Sequence, residues 1–482
     1  MTVSNKVLFV KPPDRFLDNE FVYQQLGPHY LQSYLRDHEI ESDMLILSES
    51  PKVRDQRKSD LKFVDSLSDL NMLLVRLNGD ESEAAFNIEL FAEYDIVAMS
   101  VMSPQAPDAY RLVEMLKRLF PHIVTVIGGS HARYYLDSVK SLPSELSFDF
   151  IVPNDGWKPM LDIASLRHAK SKNRAHETIV MSHLYEKLSD IPAPTRPAGL
   201  MKRYQFNLAG VPAFHTITAL GCPFTCHFCE SGKENLRKFS VRMIDEDLSV
   251  MSSVHDDILN PKKGLMIFDD VGLMNPKQVA TLSQSVKNNG FDAWRAFSHA
   301  YLIDRYGSEL LSPFYETNGR RIGMGMETGS QRSLDLLNKR NGQKQSVDEH
   351  YRAVDKINSA GIAVDAFTMI YPWEDENDLS ETTRMIEFIA NNPVKGVDLN
   401  GRPLINNVDS TIMTPYQGTV FNDMLMLGKL PGVEILNNID PGLLFYKGKG
   451  GGSGWPYKKT VLPKERYEEV QEERLRLRAK YR

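Results

Sequence analysis

Residues 214–229 read FHTITALGCPFTCHFC, and this stretch governs how the rest of the chain is interpreted. The segment Phe214–Ala219, rich in aromatic and β-branched residues, predicts a strand, and three cysteines follow it closely: Cys222, Cys226 and Cys229. They are the only cysteines among the 482 residues. If cysteine served here merely as a small core residue, the three would be scattered along the chain. Their clustering therefore indicates a metal site.

Two ligand chemistries compete for these neighbouring thiols. A structural zinc site takes four ligands, usually as two separated pairs, but the chain has no second cysteine pair, and His227 is badly placed as a fourth ligand. An iron–sulfur cubane takes thiolates, and three of them leave one iron open to a group that is not protein. We therefore favour a [4Fe–4S] cluster on Cys222, Cys226 and Cys229, with zinc as the alternative.

The CxxxCxxC spacing, with Phe228 before the last cysteine and a strand before the first, resembles the radical S-adenosylmethionine (SAM) superfamily. This resemblance implies that the open iron chelates SAM and passes an electron into its sulfonium, which yields a 5′-deoxyadenosyl radical. It also implies an external electron donor of the flavodoxin or ferredoxin type.

Further motifs extend the resemblance over about residues 214–420. Gly325–Ser330 matches a Gly-x-Glu-Ser/Thr-Gly signature, and Thr414–Thr419 is similar to a turn found in the cobalamin-associated branch of the family. Glu327 could instead be a buried ion-pair partner, and Asp269 and Asp270 could cap the following helix. The residues that the resemblance implies at SAM are Phe228, Asp270, Glu327 and Ser330.

The strand pattern around these motifs predicts an α/β fold. Six βα units are fewer than the eight of a complete barrel, so we predict an open, partial (β/α)6 barrel over residues 212–420. A proline-rich linker, 166–211, precedes it, and a small extension, 421–482, follows it. The predicted strands are Phe214–Ala219, Leu265–Asp269, Arg295–His299, Arg321–Met326, Val364–Ile370 and Leu404–Met413.

Residues 1–165 alternate apolar strands with helical segments, which predicts a Rossmann-like domain with a parallel sheet. Helices are expected at Tyr30–His38 and Asp108–Leu119. Segment 51–90 fits this pattern less well, and we interpret it as a helical elaboration. The predicted strands are Lys6–Val10, Met44–Leu47, Asp95–Ser100, Ile123–Ile127 and Phe148–Val152.

Parallel sheets bind ligands beyond the carboxyl ends of their strands. The order of elements here and the run Val124–His131 resemble the cobalamin-binding domain fused in front of many radical SAM enzymes. No Asp-x-His-x-x-Gly loop follows the first strand, so we expect no histidine on cobalt, and a positioning or loop-capping role for His131. A degenerate domain without cobalamin is the alternative. The residues that the resemblance implies at cobalamin are Pro13, Ser100, Gly128, Gly129 and His131.

The charge and hydrophobicity of the chain limit where the protein is expected to be located and what it is expected to bind. The formal charge is −6 and hydrophobic residues make up 42%, so no global positive field recruits nucleic acid, and we expect no nucleic-acid partner. No apolar run approaches the length of a membrane span. We therefore expect a cytoplasmic enzyme with a small-molecule substrate.

The cofactor set implied by these resemblances favours a methyltransferase that acts on an unactivated carbon of a biosynthetic intermediate, as in antibiotic biosynthesis and other secondary metabolism. Cyclisation, rearrangement or oxidation with the same cofactors is the first alternative. Methylthiolation usually needs a second cluster, for which no cysteines remain. A non-catalytic iron–sulfur or cobalamin sensor is the alternative from another class.

The C-terminal extension carries a glycine-rich run, Gly448–Gly454, and a charged terminal helix, residues 463–482. The aromatic residues around the run could form a lid over the substrate or belong to a surface linker. Charges of mixed sign along the helix predict a solvated face. The aromatic residues are Phe445, Tyr446, Trp455 and Tyr457.

Overall fold

The computed structural model describes residues 5–15, 17, 19–49, 67–166, 178–204, 206–231, 234–257, 262–436 and 455–480, with side chains up to residue 477. Two compact units make up the chain. The N-terminal unit contains Met1–Glu186 and Ile191–Tyr204. The C-terminal unit contains Lys187–Asp190, Gln205–Ile439 and Tyr446–Arg482.

The N-terminal unit is built on an eight-stranded sheet with the order β4-β3-β2-β1-β5-β6-β7-β8. Strands β1, β2 and β5 to β8 are parallel, so the predicted Rossmann-like core is confirmed. The strands are β1 Val7–Lys11, β2 Ser42–Glu49, β3 Leu70–Val75, β4 Glu81–Ala85, β5 Ile96–Ser100, β6 Val124–Gly128, β7 Phe150–Val152 and β8 Ile179–Val180. The helices are α1 Leu26–Arg36, α2 Ala106–Leu119, α3 Ser130–Tyr134, α4 Leu136–Lys140, α5 Trp157–Ala164 and α6 Ala198–Arg203.

Both faces of this sheet are covered, as expected where helices flank parallel strands. Leu8 and Val10 of β1 belong to one apolar core, and Val7 and Phe9 belong to a second core on the opposite face. The alternation of side chains along a strand explains this division.

The prediction of a helical elaboration at 51–90 is wrong for residues 70–85, which form two strands, and only the short 3-10 helices Leu67–Asp69 and Ile88–Glu93 flank them. Strand β3 pairs antiparallel with β2, and β4 pairs antiparallel with β3. The run Leu70–Val75 is apolar on both faces because the sheet is covered on both sides here, so it lacks the period-two pattern of a half-exposed strand. Residues 51–66 lie outside the described residues.

The C-terminal unit is an open barrel of six parallel strands, β10 and β13 to β17, with β9 antiparallel at one edge. The partial (β/α)6 barrel is thus confirmed. Its strands are β9 Asn207–Leu208, β10 Val211–Thr216, β11 Ala219–Leu220, β12 Arg237–Lys238, β13 Gly264–Ile267, β14 Ala293–Ser298, β15 Gly319–Glu327, β16 Ala363–Ile370, β17 Asn407–Ile412, β18 Glu434–Ile435 and β19 Tyr457–Lys459. Its helices are α7 Val241–Asp256, α8 Pro276–Asn288, α9 Ala300–Tyr306, α10 Ser308–Glu316, α11 Gln331–Leu337, α12 Val347–Ser359, α13 Glu376–Asn391, α14 Val420–Met426 and α15 Lys464–Lys480.

The C-terminal segment packs against the barrel more tightly than the sequence predicted. The Tyr457 hydroxyl donates to the Met413 carbonyl oxygen at 2.6 Å, and Trp455 packs against the same apolar cluster. Tyr457 is therefore part of the core and not of a lid, while Trp455 is partly buried against the same cluster. Phe445, Tyr446 and Gly448–Gly454 lie outside the described residues.

Helix α15 has the expected solvated charged face, with Glu465, Glu468, Glu469, Glu472, Glu473 and Arg476 exposed, but Arg474 lies on its buried side. Tyr467 and Val470 are buried, and Arg474 is only 1% exposed. The Arg474 guanidinium donates to the Leu379 carbonyl oxygen of α13 at 2.8 Å, which compensates for the loss of hydration on burial. Among the described residues, no helix has the length and apolar character that crossing a membrane requires.

Candidate active site

The cysteine loop lies between β11 and β12, directly beyond the carboxyl end of β10. All three cysteines are partly buried free thiols. The Cys222 amide donates to the Glu234 carbonyl oxygen at 3.3 Å, and the Cys229 amide donates to the Cys226 carbonyl oxygen at 3.1 Å. The backbone of the loop thus fixes where the three side chains begin.

The end of α11 holds this loop from the side. The His227 amide donates to the Leu337 carbonyl oxygen at 2.9 Å, and its Nδ1 lies 2.8 Å from the Leu336 carbonyl oxygen. Asn338, in the left-handed conformation that asparagine tolerates, donates to the Thr225 carbonyl oxygen at 3.2 Å. The His227 ring therefore anchors the loop, which agrees with its being a poor metal ligand.

The three thiols lie near one another without converging on a single point. Among the residues that the structure describes, no three His, Cys, Asp or Glu side chains form a group that could hold a metal ion. The thiols are nevertheless close enough for charge on one to raise the pKa of another. In a cubane each thiolate binds a different iron, so the thiols need not converge on one point.

Burial controls the acidity of two of these thiols. It raises the pKa of Cys222 to about 11 and that of Cys226 to about 12, and the Lys339 ammonium acts in the opposite direction on both. Since metals bind the thiolate, a cation beside the loop favours the ligating form.

Lys339 also forms a buried ion pair with Glu327. Its Nζ lies 3.1 Å from Glu327 Oε1 and donates to the Gly325 carbonyl oxygen, and both charged side chains are at least nine-tenths buried. The ion-pair alternative for Glu327 is therefore what the structure shows, while a contact with SAM stays a prediction. No sequence motif points to Lys339, because its pairing with Glu327 depends on how α11 folds back over β15.

The two aspartates after β13 have separate roles. Asp269 is buried and accepts hydrogen bonds from the Thr218 amide at 2.5 Å and the Ala219 amide at 3.1 Å. It does not cap the following helix, α8, whose N-cap is Asn275. Asp270 accepts from Ser231 Oγ at 3.1 Å within the cysteine loop, and burial raises its pKa.

Two other predicted SAM contacts have structural partners. Ser330 is fully buried, caps α11 by accepting from the Ser333 amide, and donates to Asp378. The Phe228 ring packs against an apolar cluster that includes Trp373. Contacts of either residue with SAM stay predictions.

In the N-terminal unit, Ser100 and Gly128 are register partners at the carboxyl ends of β5 and β6. The next residue, Gly129, is exposed and has a φ of +87°. A Cβ there would lie 2.7 Å from the Val101 amide nitrogen, so the turn requires glycine. Small, accessible residues at this edge fit the approach of a large cofactor.

His131 is buried beside the same edge with both ring nitrogens engaged. One lies 2.6 Å from the Tyr110 hydroxyl, and the other lies 3.1 Å from Ser103 Oγ. Its ring stacks on Tyr135 at 5.1 Å. These contacts support the expectation that His131 stabilises a loop.

The loop after β1, where Pro13 is buried, is fixed by an ionic network that the sequence did not reveal. Lys11 Nζ lies 2.7 Å from Asp14. The neighbouring Arg15 guanidinium contacts Asp108 at 2.8 Å and Glu49 at 2.9 Å. All five side chains are almost fully buried, so the network rigidifies this part of the sheet edge.

Comparison with known proteins assigns the family. Residues 216–386, which include the cysteine loop and β13 to β16, match the family model of the Radical SAM superfamily. The chain is a radical SAM enzyme. The predicted family is thus confirmed, and with it the expectation of a [4Fe–4S] cluster and SAM.

Other proteins are similar to this radical SAM enzyme over most of its chain. The uncharacterized methyltransferase PH0819 of Pyrococcus horikoshii is 24% identical over 86% of this chain and 82% of its own length. The structure of the cobalamin-dependent radical SAM enzyme OxsB, with aqua-cobalamin and SAM bound, superposes with a TM-score of 0.69 at 13% identity. That match covers 98% of this chain but 66% of the OxsB chain, slightly less than two thirds.

The radical SAM methyltransferase TsrM from Kitasatospora setae, with cobalamin and a [4Fe–4S] cluster bound, has a TM-score of 0.62 at 11% identity. The match covers 100% of this chain and 89% of TsrM. At these identities the likeness establishes the fold, and the radical SAM enzyme has the fold of cobalamin-dependent members of its superfamily.

Proposed function

We propose that this radical SAM enzyme binds cobalamin on its N-terminal unit and transfers a methyl group to a carbon of a small biosynthetic intermediate. The observation that carries the proposal is the fold itself. A Rossmann-like sheet with a glycine-containing carboxyl edge and a partial barrel with a CxxxCxxC loop occur in one chain, and this chain has the fold of OxsB and TsrM, whose structures contain cobalamin.

Cys222, Cys226 and Cys229 would hold the cluster, and Ser100, Gly128 and Gly129 would border the cobalamin. When bound, the cluster supplies the electron that cleaves SAM, and cobalamin supplies a carrier for the methyl group. The protein's own contribution is placement. The α11 end fixes the cysteine loop, and Lys339 places a positive charge beside it.

We further propose an external electron donor of the flavodoxin or ferredoxin type. All three cysteines lie in the one loop, which leaves none for a second cluster on the chain. A cytoplasmic location, an unactivated carbon as acceptor and a place in secondary metabolism belong to the same proposal, and reduced thiols fit that location.

Anaerobic reconstitution tests this function. The full chain is purified with hydroxocobalamin, loaded with iron and sulfide, reduced with dithionite and supplied with SAM. We expect about four irons and one cobalamin per chain, and formation of 5′-deoxyadenosine or S-adenosylhomocysteine. In the control variant Cys226→Ala, iron should be lost while cobalamin is retained. Zinc in place of iron, or full iron loading without any cobalamin, would contradict the proposal.

A further inference from the structure

The interior face of the barrel carries an aromatic surface. On β14, Trp294 packs at 4.3 Å against Phe314 of α10, so even-numbered residues of this strand face the helices. Side chains alternate along a strand, and Phe297 therefore faces the barrel interior. Its ring centroid lies 6.0 Å from that of Phe268 and 6.1 Å from that of Phe367. We call Phe268, Phe297 and Phe367 the aromatic wall.

Two features show that the aromatic wall is not ordinary core packing. Phe367 is 36% exposed, whereas core phenylalanines of the same unit such as Phe314 are fully buried. Between the strands of Phe297 and Phe367, β15 has Gly323, where a Cβ would lie 2.5 Å from the Phe297 ring. The missing side chain lets the ring of Phe297 lie across β15, and the wall stays open on its other side.

A group of charges adjoins this wall. Arg295 Nε and an Arg321 guanidinium nitrogen each lie 2.6 Å from a different oxygen of Asp365. The Arg295 guanidinium also lies 4.8 Å from the ring centroid of Phe297. Two guanidinium groups against one carboxylate leave one net positive charge on Arg295, Arg321 and Asp365, and we call the two arginines the arginine pair. Asp409, the register partner of Phe367, places a further carboxylate two residues along the same face of β17.

We infer that the barrel interior binds the planar ring system of an aromatic acid, with the ring against the aromatic wall and the acidic group toward the arginine pair. A flat π-surface stacks on phenylalanine rings in offset or edge-on geometry. An anionic group is attracted by the net positive charge in a partly desolvated site. This inference names the substrate class for the proposed function, and it rests on the barrel being its reaction chamber.

Equilibrium dialysis on the reconstituted full chain tests the inference with three probes: 2-naphthoate, its saturated analogue decahydronaphthalene-2-carboxylate, and the neutral 2-naphthamide. We expect 2-naphthoate to bind more tightly than either of the others. Phe367→Leu should weaken the binding of 2-naphthoate about three- to tenfold and leave the affinity for the saturated acid unchanged. Phe297→Leu provides a second test on the same wall. Tyr315→Leu, which changes an exposed aromatic residue on α10, should change neither affinity.

Three results would overturn the inference. They are equal affinity for the three probes, no binding of 2-naphthoate by the wild type, and unchanged affinity for 2-naphthoate in both Phe367→Leu and Phe297→Leu. Iron content and SAM cleavage are measured in the same preparations. If both are normal while the probes are not distinguished, the substrate class alone is wrong. If iron or SAM cleavage is missing, the proposed function itself fails.

Discussion

Lys339 Nζ lies 3.1 Å from Glu327 Oε1 in a pair that is almost completely removed from solvent. The ammonium is also near enough to Cys226 to lower the pKa of that thiol. One buried cation therefore acts on the carboxylate at the end of β15 and on a thiol of the cysteine loop. The stability of the fold and the acidity of the metal site are coupled through this residue.

Lys339→Met should destabilise the cluster-free protein by roughly 3–5 kcal/mol, because it leaves the Glu327 carboxylate buried without a cation. Urea denaturation under anaerobic, reducing conditions measures the loss. The double variant Lys339→Met/Glu327→Gln should recover much of it. Arg476→Met breaks the exposed pair with Glu472 and should have almost no effect. Equal losses in both single variants would contradict the assignment.

Glu374 should make stability depend on pH. Burial raises its pKa to about 7, above the value of about 4.3 for an unfolded glutamate. The folded state therefore binds this proton more tightly, and the contribution of Glu374 to stability falls as pH rises from about 4.5 to 7. Above that range the contribution stays constant. Glu374→Gln keeps the acceptor for the Thr328 hydroxyl and removes the titration.

The measurement is the difference in unfolding free energy between wild type and Glu374→Gln at intervals from pH 4.5 to 8. We expect the wild type to lose stability relative to the variant across the lower part of this range. A difference that is independent of pH would show that Glu374 ionises normally.

Gly129→Ala should damage the carboxyl edge of the N-terminal sheet. The residue has a positive φ, and its new Cβ would clash with the Val101 backbone, at a cost of roughly 1–3 kcal/mol. Gly79→Ala is the matched control, because Gly79 also has a positive φ but no atom within 4 Å of the added carbon. The midpoint temperature of thermal unfolding and the cobalamin content should both fall further for Gly129→Ala than for Gly79→Ala. Equal decreases in the two variants would show that the contact of the new Cβ with the Val101 backbone has no effect.

His131→Phe should cost stability without changing cobalt coordination. The variant loses hydrogen bonds to Tyr110 and Ser103, worth roughly 1–2 kcal/mol together, but keeps an aromatic ring against Tyr135. If cobalamin binds, its absorption and electron paramagnetic resonance spectra should match those of the wild type. A spectral change typical of losing an axial nitrogen would make His131 a cobalt ligand.

The strand pattern was largely predictable because short segments with apolar residues alternate with helical segments along the barrel. Each of the six expected strands overlaps one of β10 and β13 to β17, although Phe214–Ala219 begins three residues after β10 does. Interactions distant in sequence were not predictable. Arg474 looks like part of a solvated helix face until its hydrogen bond to Leu379 is seen, and nothing near Lys339 in the sequence indicates its contact with Glu327.

The hydrogen bonds that fix the cysteine loop come from protein atoms alone: the amide and ring of His227, the Asn338 side chain and the Cys222 amide. Because these contacts join residues of the polypeptide, we expect the loop to keep its conformation in the cluster-free protein, so that cluster assembly is a loading step. Far-ultraviolet circular dichroism should then be almost identical before and after reconstitution. Damage to the cluster by oxygen would leave a folded protein that can be repaired in place.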